Sequence, residues 1–301
     1  MKKFIKIFIK YPVEGIFINF VYLFFKILPI DISSSTGSFI AKSIGPILSV
    51  NKVIRKNLEK AFPDKDNNWY EKINNQIWSN FGRVTAEYSH FSKLASNKNE
   101  RISIIDNEHS RDFFDTSVKK ILVSSHNANW EIMGIACRKN SDKISGIVRQ
   151  PNNPYAKKII NNLRNRFSVT CYEKNMIGTK NIINDFNNGN SLALLSDLRL
   201  STGLESNFFN IKSKTTSLPA QLGLKNKCKI YLAWAKRKNK SNFEIEFFNP
   251  LNIKNLDNTE KNIQEITDEI NYFFEKKITE DPGQYFWLHD HEAKSLSLIH
   301  I

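Results

Sequence analysis

A histidine and a glutamate near the middle of the chain have the residue types needed for acid–base chemistry. His126 follows the apolar run ILVSS and opens the segment HNANWE, which ends at Glu131. Residues five apart on an ideal α-helix differ by about 140° in direction, so the two side chains can meet only if His126 precedes the helix. A carboxylate that reaches an imidazole fixes its tautomer and stabilises its protonated form. The pair therefore predicts a general base for a hydroxyl, and the alternative is a capping histidine beside a glutamate that suits the helix dipole.

The pair resembles the histidine and acid of a serine triad without the serine, with the substrate supplying the nucleophile. The sequence contains no G-x-S-x-G motif, which counts against a serine hydrolase of the usual α/β type. The two residues also lack the helical i, i+4 spacing of a metal pair, and no nearby Cys or His completes a zinc site. We therefore expect neither a metal nor a redox cofactor.

The residues around this pair follow an alternating pattern from about Arg101 onward. Short apolar runs predict strands over 102–105, 120–125, 144–149, 169–172, 191–196, 229–236 and 243–248. Helical spacing or helix-start signals predict helices over 130–138, 154–167, 178–188 and 259–278. The alternation indicates an α/β fold with a mostly parallel central sheet flanked by helices. In such sheets ligands bind at the carboxyl ends of the strands, where His126 lies.

The chain before this region divides into two predicted parts. Residues 1–32 form a membrane-associating segment, in which four lysines precede the apolar run from Tyr11 to Ile30. The run is about as long as a bilayer span, but Glu14 and Lys26 interrupt it, so a span, an interfacial helix and a soluble core helix all remain open. Residues 33–100 form a helical lead-in, with helices over 50–62 and 69–93, and residues 101–301 form the α/β core. We expect 33–301 to be one domain.

Composition narrows the classes of partner. The formal net charge of +14 favours an anionic partner, such as an anionic membrane, an acidic carrier or nucleic acid. The sequence lacks an RNP pattern, zinc spacing and a concentrated basic helix, so we predict no nucleic-acid binding. The three cysteines are odd in number and far apart, which predicts buried free thiols.

The segment HNANWE and the strand before it resemble the signature of the lipid A biosynthesis acyltransferase family. This family of lauroyl and myristoyl transferases belongs to the lysophospholipid acyltransferase-like superfamily, which has an H-x4-D/E catalytic pair. Further segments resemble family elements in matching order: NLEKAFPD (57–64), VRQPNNP (148–154), ALLSDLR (193–199), ESNFFNIKSKTTSLPAQLGLK (205–225) and YFWLHDH (285–291). The resemblance covers roughly residues 10 to 291.

The resemblance implies an acyltransferase that moves a fatty acyl chain from a thioester onto a hydroxyl of a lipid A precursor. The thioester is a co-substrate carried by acyl carrier protein or coenzyme A. The expected location is the cytoplasmic face of the inner membrane, in keeping with the positive-inside tendency of the lysines. The alternatives are a different membrane lipid or glycolipid acceptor, or a catalytically idle lipid-binding relative.

The resemblance also implies roles for particular residues. His126 is the base and Glu131 its partner, Arg149 lies near the reacting carbonyl or an acidic head group, and Asp197 is a second active-site carboxylate. Asp197 could equally be a loop cap or an ion-pair partner.

Three further residues are candidate substrate contacts: Asn129, Thr215 and Thr216. A helix cap for Asn129 and a turn before Pro219 for the threonines are the alternatives. The chain departs from the family where Ala128 and Asn210 replace the usual Gly, and where Leu198 replaces a common Gln.

Overall fold

The computed structural model describes residues 2–98, 100–253 and 255–291, with side chains from Phe4 onward. Residue 1 and the last ten residues of the predicted core, 292–301, lie outside the described residues. The described part is an α/β structure with a seven-stranded, mostly parallel sheet flanked by helices, which confirms the predicted fold class.

The N-terminal apolar segment is helical throughout. It comprises α1 (Lys2–Ile5), a π-helical turn (Lys6–Lys10) and α2 (Tyr11–Ile27). By length and composition Lys6–Ile27 is able to cross a membrane, and only 6% of its most apolar window is buried inside the protein. A helix this exposed is not a core helix, so the span and the interfacial helix remain as interpretations.

A layer of helices follows the N-terminal segment. These are α3 (Ile30–Ile44), α4 (Asn51–Ala61), α5 (Asn67–Glu87) and α6 (Phe91–Leu94), with short 3₁₀ turns at Gly45–Ile47 and Tyr88–His90. The α3 and α5 backbones meet closely at Gly37 and Gly82, where a Cβ on either glycine would collide with the other's carbonyl oxygen. The helical lead-in is therefore helical as predicted, while the division of the chain at residues 32 and 100 stays a prediction.

The core alternates strands and helices. The strands are β1 (Ile102–Ile104), β2 (Ile121–Ser124), β3 (Ile144–Val148), β4 (Thr170–Glu173), β5 (Ser191–Leu195), β6 (Leu204–Phe208), β7 (Ile211–Thr215), β8 (Ile230–Asn239) and β9 (Asn242–Phe247). The helices are α7 (Glu108–Phe114), α8 (Glu131–Asn140), α9 (Pro154–Phe167), α10 (Met176–Asn187), α11 (Leu218–Asn226) and α12 (Glu260–Glu280), and a 3₁₀ turn at Pro282–Gln284 follows.

The large sheet has the order β1-β9-β8-β2-β5-β3-β4. Every neighbouring pair is parallel except β8 and β9, which form an antiparallel hairpin. Strands β2, β3, β4 and β5 thus end at one edge of the sheet, here called the carboxyl edge. His126, Arg149 and Asp197 all follow strands at this edge.

Both faces of the sheet are covered. Ile121 and Val123 of β2 pack with α4, α5, α10, α11 and α12, whereas Leu122 packs on the other face with α6, α7 and α8. Successive strand residues point to opposite faces, so a strand covered on both sides is apolar at every position. This burial explains why β2 appears in the sequence as an unbroken apolar run.

The β6–β7 hairpin was not predicted as strands. Its inward positions include Ser206 and Ser213, both buried, so the usual alternation of large apolar and polar side chains is weak. The turn places Phe209 at φ 49° and Asn210 at φ 59°. Two consecutive positive φ angles are typical of a tight two-residue hairpin turn, in which glycine and asparagine are favoured.

Candidate active site

His126 lies in a loop that follows β2 and precedes α8. The loop is fixed from both sides, because the Ala128 N–H donates to the Gln284 carbonyl at 2.9 Å and the Ala128 carbonyl accepts from Asn80 at 2.8 Å. Asn127 donates through Nδ2 to the Ala235 carbonyl at 2.7 Å. The histidine is therefore carried on a well-anchored backbone at the carboxyl edge.

Ala128 adopts a left-handed conformation, with φ 50°. A Cβ makes this conformation costly by roughly 1–2 kcal/mol, whereas glycine adopts it freely. Glycine would meet this backbone requirement without strain, so Ala128 carries a conformational cost.

Asp197 is the direct partner of His126. Asp197 Oδ1 lies 2.9 Å from His126 Nδ1, and Asp197 Oδ2 accepts the His126 backbone N–H at 2.9 Å. The Asp197 side chain is fully buried and that of His126 is 22% exposed. Burial alone would raise the pKa of the Asp197 carboxyl, but the His126 charge and hydrogen bonds outweigh it and lower that pKa. An ionised Asp197 holds a proton on Nδ1 and leaves Nε2 to act as the base.

Glu131 takes a different place from the one expected. Its carboxylate accepts bonds from Arg164 at 2.5 and 3.1 Å and from the Tyr88 hydroxyl at 2.7 Å, and none of its described hydrogen bonds reaches His126. The expectation that Glu131 contacts the imidazole is therefore corrected. Asp197 follows β5, the strand beside β2, and the pairing of Ser124 with Leu195 carries the register to residues 126 and 197.

The Glu131–Arg164 pair is a buried ion pair beneath the loop. The two side chains are 6% and 11% exposed. Burial would raise the pKa of Glu131, but the Arg164 charge, together with hydrogen bonds from Arg164 and Tyr88, lowers it. The His126 charge acts in the same direction on the Glu131 carboxyl.

A cavity of about 230 Å³ adjoins this group. Its lining includes Arg149, which is exposed and lies at the rim. Three other lining residues each carry a buried polar atom without a hydrogen-bond partner: Gln150 Oε1, Arg164 Nη1 and His289 Nε2. The remaining lining residues are Tyr88, Pro151, Asn152, Ile160, Leu198 and Phe286.

Three predicted substrate contacts each make hydrogen bonds within the protein, and their contact with substrate stays a prediction. Asn129 Oδ1 accepts the Glu131 backbone N–H at 3.1 Å, and its Nδ2 donates to Glu87 at 2.9 Å. Thr215 donates to the Ser196 carbonyl at 2.8 Å, and Thr216 Oγ1 accepts the Leu218 N–H at 3.4 Å. The contacts of Asn129 and Thr216 fit the cap and turn alternatives, whereas Thr215 ends β7 and ties it to the residue after β5. None of the three residues lines the cavity.

Residues near the end of the described chain also reach His126. The Phe286 N–H donates to the His126 carbonyl at 3.0 Å, and the Phe286 ring lies 6.2 Å from the imidazole and 5.3 Å from Trp130. The Tyr285 hydroxyl is 3.5 Å from both the Asp197 carbonyl and His291 Nε2. The YFWLHDH segment thus closes over the dyad, here meaning His126 and Asp197.

Sequence analysis did not single out Tyr88, Arg164, Phe286 or His289. Tyr88 and Arg164 come from helices distant in sequence, and neither sits in a pattern that distinguishes it from a surface residue. The resemblance of YFWLHDH to a family element was the available signal for Phe286 and His289. Within the described residues, no group of three or more His, Cys, Asp or Glu side chains is placed to hold a metal ion.

Comparison with known proteins gives one family. The profile of the bacterial lipid A biosynthesis acyltransferases matches residues 2–291. A search of curated proteins finds no match. Among solved structures, 1-acyl-sn-glycerophosphate acyltransferase PlsC from Thermotoga maritima is 10% identical, covers 83% of this chain and 96% of its own, and has a TM-score of 0.40. That structural similarity is too low to support an argument. Because the family profile spans nearly the whole chain, the protein belongs to the bacterial lipid A biosynthesis acyltransferase family and is an acyltransferase.

Proposed function

We propose that the enzyme transfers a fatty acyl chain from an acyl carrier protein thioester onto a hydroxyl of a lipid A precursor, with His126 as the general base. The observation that carries the proposal is the 2.9 Å contact between His126 Nδ1 and the buried Asp197 carboxylate beside the cavity. A histidine oriented by a carboxylate is the arrangement that activates a hydroxyl nucleophile.

The chemical step follows from this arrangement. His126 Nε2 takes the proton of the acceptor hydroxyl as its oxygen attacks the thioester carbonyl carbon. The carbonyl π electrons move onto oxygen and then return as the carbon–sulfur bond breaks. The departing thiolate takes the proton from the imidazolium, so the base is regenerated. A positioned base of this kind contributes typically 10²- to 10⁴-fold to a rate.

Glu131 and Arg164 act on the dyad in two ways. The Glu131 carboxylate stabilises the positive charge that forms on His126 through space, since a nearby opposite charge favours the charged form. Arg164 compensates the buried Glu131 charge with two hydrogen bonds and keeps Nη1 unpartnered. The two residues therefore position the loop and tune its charge, and the chemistry itself takes place at His126.

The cavity suits a polar part of the substrate. Donor and acceptor groups of Gln150, Arg164 and His289 lie among its lining without partners, and buried polar groups of this kind are usually satisfied by a ligand or water. Arg149 at its rim supplies a planar, permanently charged donor, which suits the developing oxyanion or a phosphate on the acceptor. We assign the polar end of the lipid acceptor to this cavity.

The position of the N-terminal helix supports the proposal that the enzyme acts at a membrane surface. Helix α2 contacts the folded body at both ends, because Asn153 donates to the Tyr11 carbonyl at 3.1 Å and the Phe25 carbonyl lies 2.9 Å from His90 Nε2. A helix held along the body presents its apolar outer face to the bilayer interface, which favours the interfacial interpretation. The net charge of +14 on the protein favours anionic partners. The cytoplasmic face of the inner membrane offers two such partners, anionic lipid and acidic carrier protein.

Substrate identity can be tested with the purified full chain in detergent. We expect acyl transfer from labelled acyl carrier protein to a tetra-acylated lipid A precursor, and slower transfer from the matching coenzyme A thioester. Lysophospholipid and other glycolipid acceptors serve as comparison substrates. Transfer to one of these without transfer to the precursor would move the assignment to that acceptor, and an absence of transfer to any acceptor would support an idle lipid-binding relative.

A further inference from the structure

Two adjacent apolar side chains of the α/β core stand out on the surface of the protein. Met176 is 88% exposed and Ile177 is 72% exposed, and together they begin α10. Single exposed apolar residues are common on protein surfaces. Here two neighbouring apolar side chains are exposed together, which leaves apolar area in water that a partner would cover.

The backbone that carries the pair is well defined. Asn175 caps α10, accepting the Gly178 N–H at 2.8 Å through its side chain. Gly178 packs against the Glu173 carbonyl so closely that a Cβ would collide with it. Ile182 further along the helix is fully buried in the core. The pair is therefore a fixed ridge on an anchored helix, with no internal partner to cover it.

The ridge lies at the same edge of the sheet as the dyad. Helix α10 follows β4, and the Lys174 N–H donates to the carbonyl of Val148, the last residue of β3, at 2.8 Å. Strands β3 and β4 are parallel neighbours, so the loops that lead to α9 and α10 leave the sheet at the same edge, although the two helices then pack on opposite faces. The start of α9 is also where α2 attaches, since Tyr155 packs against Gly15. Helix α2 therefore attaches at the carboxyl edge, where α10 and the ridge also begin.

The charges around the ridge are basic. Lys174 precedes it by two residues and the exposed Lys180 follows it by three. The nearest acidic residue in sequence, Glu173, is paired with Lys157 at 3.0 Å. Apolar side chains flanked by lysines have the composition of surfaces that insert at the interface of an anionic bilayer.

We propose that Met176 and Ile177 insert into the interface of an anionic lipid bilayer, forming a second membrane contact beside α2. Two contacts at one edge define a plane, so they hold the carboxyl edge and the dyad against the lipid surface. An acidic protein would also be attracted by the lysines. The position of the ridge at the edge where the apolar helix α2 attaches favours the bilayer. This proposal concerns the position of the protein on the membrane. It holds whether or not lipid A is the acceptor.

A fluorescent probe tests the position directly. The full chain would carry Ile177→Cys labelled with an environment-sensitive nitrobenzoxadiazole group, and vesicles would contain phosphatidylethanolamine with phosphatidylglycerol. Val118→Cys is the matched control, because Val118 is 59% exposed and precedes β2 at the opposite edge of the sheet. Labelled wild-type protein corrects for the native cysteines, of which Cys171 is the one not fully buried.

We expect vesicles to shift the emission of the probe at 177 to the blue, with quenching by brominated acyl chains, and to leave the probe at 118 unchanged. Met176→Asp/Ile177→Asp should weaken vesicle binding about tenfold or more, given the apolar area withdrawn from lipid, and Val118→Asp should not. An unshifted probe at 177 on vesicle-bound protein would overturn the proposal. So would a shift caused by acyl carrier protein and not by vesicles, or unchanged binding of the double variant.

Discussion

His126 Nδ1 and Asp197 Oδ1 lie 2.9 Å apart, although 71 residues separate them in the chain. They meet because β2 and β5 are parallel neighbours in register, so the residues two positions beyond Ser124 and Leu195 emerge side by side. The second Asp197 oxygen holds the His126 backbone N–H, which fixes ring and backbone together. The carboxylate that contacts His126 is therefore determined by sheet register rather than by the H-x4-E spacing.

This relationship predicts the effect of Asp197→Asn on activity. The amide keeps the shape of the side chain but loses the charge, and its NH₂ group competes for Nδ1, which favours the wrong tautomer. We expect kcat to fall by about 10²- to 10⁴-fold with little change in KM, as measured by acyl transfer at saturating substrates. Asp185→Asn is the matched control, since Asp185 bonds only neutral hydroxyls of Ser145 and Tyr172 in the same core. An equal loss in both variants would mean that Asp197 is merely structural.

The buried pair predicts a stability effect of Arg164→Met. Removing the guanidinium leaves the Glu131 charge buried without compensation, which costs about 3–5 kcal/mol in the free energy of unfolding. The double variant Glu131→Gln/Arg164→Met should recover much of this loss in urea unfolding. Lys157→Met is the control, because its pair with Glu173 is exposed and worth about 0–1 kcal/mol. A single variant as stable as the control would show that Glu131 is neutral in the folded protein.

Some residues of the site could be predicted from the sequence and others could not. The apolar run before His126 and the aspartate block around Asp197 are visible locally, so both residues were identified as candidates. Their pairing required the strand order, which periodicity does not contain. Arg164 and Tyr88 carry no local signal, because their role arises only where α9 and the turn after α5 pack on Glu131.

Some elements of the fold could likewise be predicted from the sequence and others could not. Strands covered on both faces, such as β2, appear as continuous apolar runs and were predicted. The β6–β7 hairpin was missed since buried serines, Ser206 and Ser213, replace the apolar residues that mark a strand. Buried hydroxyls such as Ser206, which bonds Asp268, are satisfied by tertiary partners that the sequence does not reveal.

The strained loop predicts that Ala128→Gly stabilises the protein. Ala128 has φ 50°, a conformation that costs a residue with a Cβ roughly 1–2 kcal/mol and costs glycine nothing. Part of this gain is lost because glycine makes the unfolded chain more flexible. We expect a net gain of about 0.5–1 kcal/mol, measured as a higher urea midpoint with the slope unchanged. Ala136→Gly, within α8, should instead destabilise the protein. A loss in both variants would contradict the strain argument.

The buried His291 predicts how stability changes with pH. Burial and the neighbouring His289 charge lower the pKa of His291 to about 3 in the folded protein. In the unfolded chain the group titrates near 6.5, so between about pH 6.5 and 3 the unfolded state binds the extra proton. Stability should therefore fall as pH falls from about 6.5, by about 1.4 kcal/mol per unit from this residue once the pH is well below 6.5.

Urea unfolding of wild type and His291→Gln at pH 7.5, 6.5 and 5.5 measures this contribution. The variant should be less sensitive to acid over this window, whatever its stability at pH 7.5. Carboxyl groups with a lowered pKa, such as Asp197, stay ionised between pH 7.5 and 5.5 and lose their contribution to folding stability only at lower pH. The change in stability within this pH range therefore comes from histidine. The same acid sensitivity in both proteins would show that His291 is protonated in the folded state.

The role proposed for His126 is tested most directly by the single-turnover rate of acyl transfer from labelled acyl carrier protein to the lipid A precursor. The rate is measured for wild type, His126→Ala and His109→Ala. His109 lies on α7, outside the site, and controls for the loss of a histidine. We expect a rate about 10²- to 10⁴-fold lower for His126→Ala and an unchanged rate for His109→Ala. Transfer by His126→Ala at the wild-type rate would contradict the proposal that His126 is the general base.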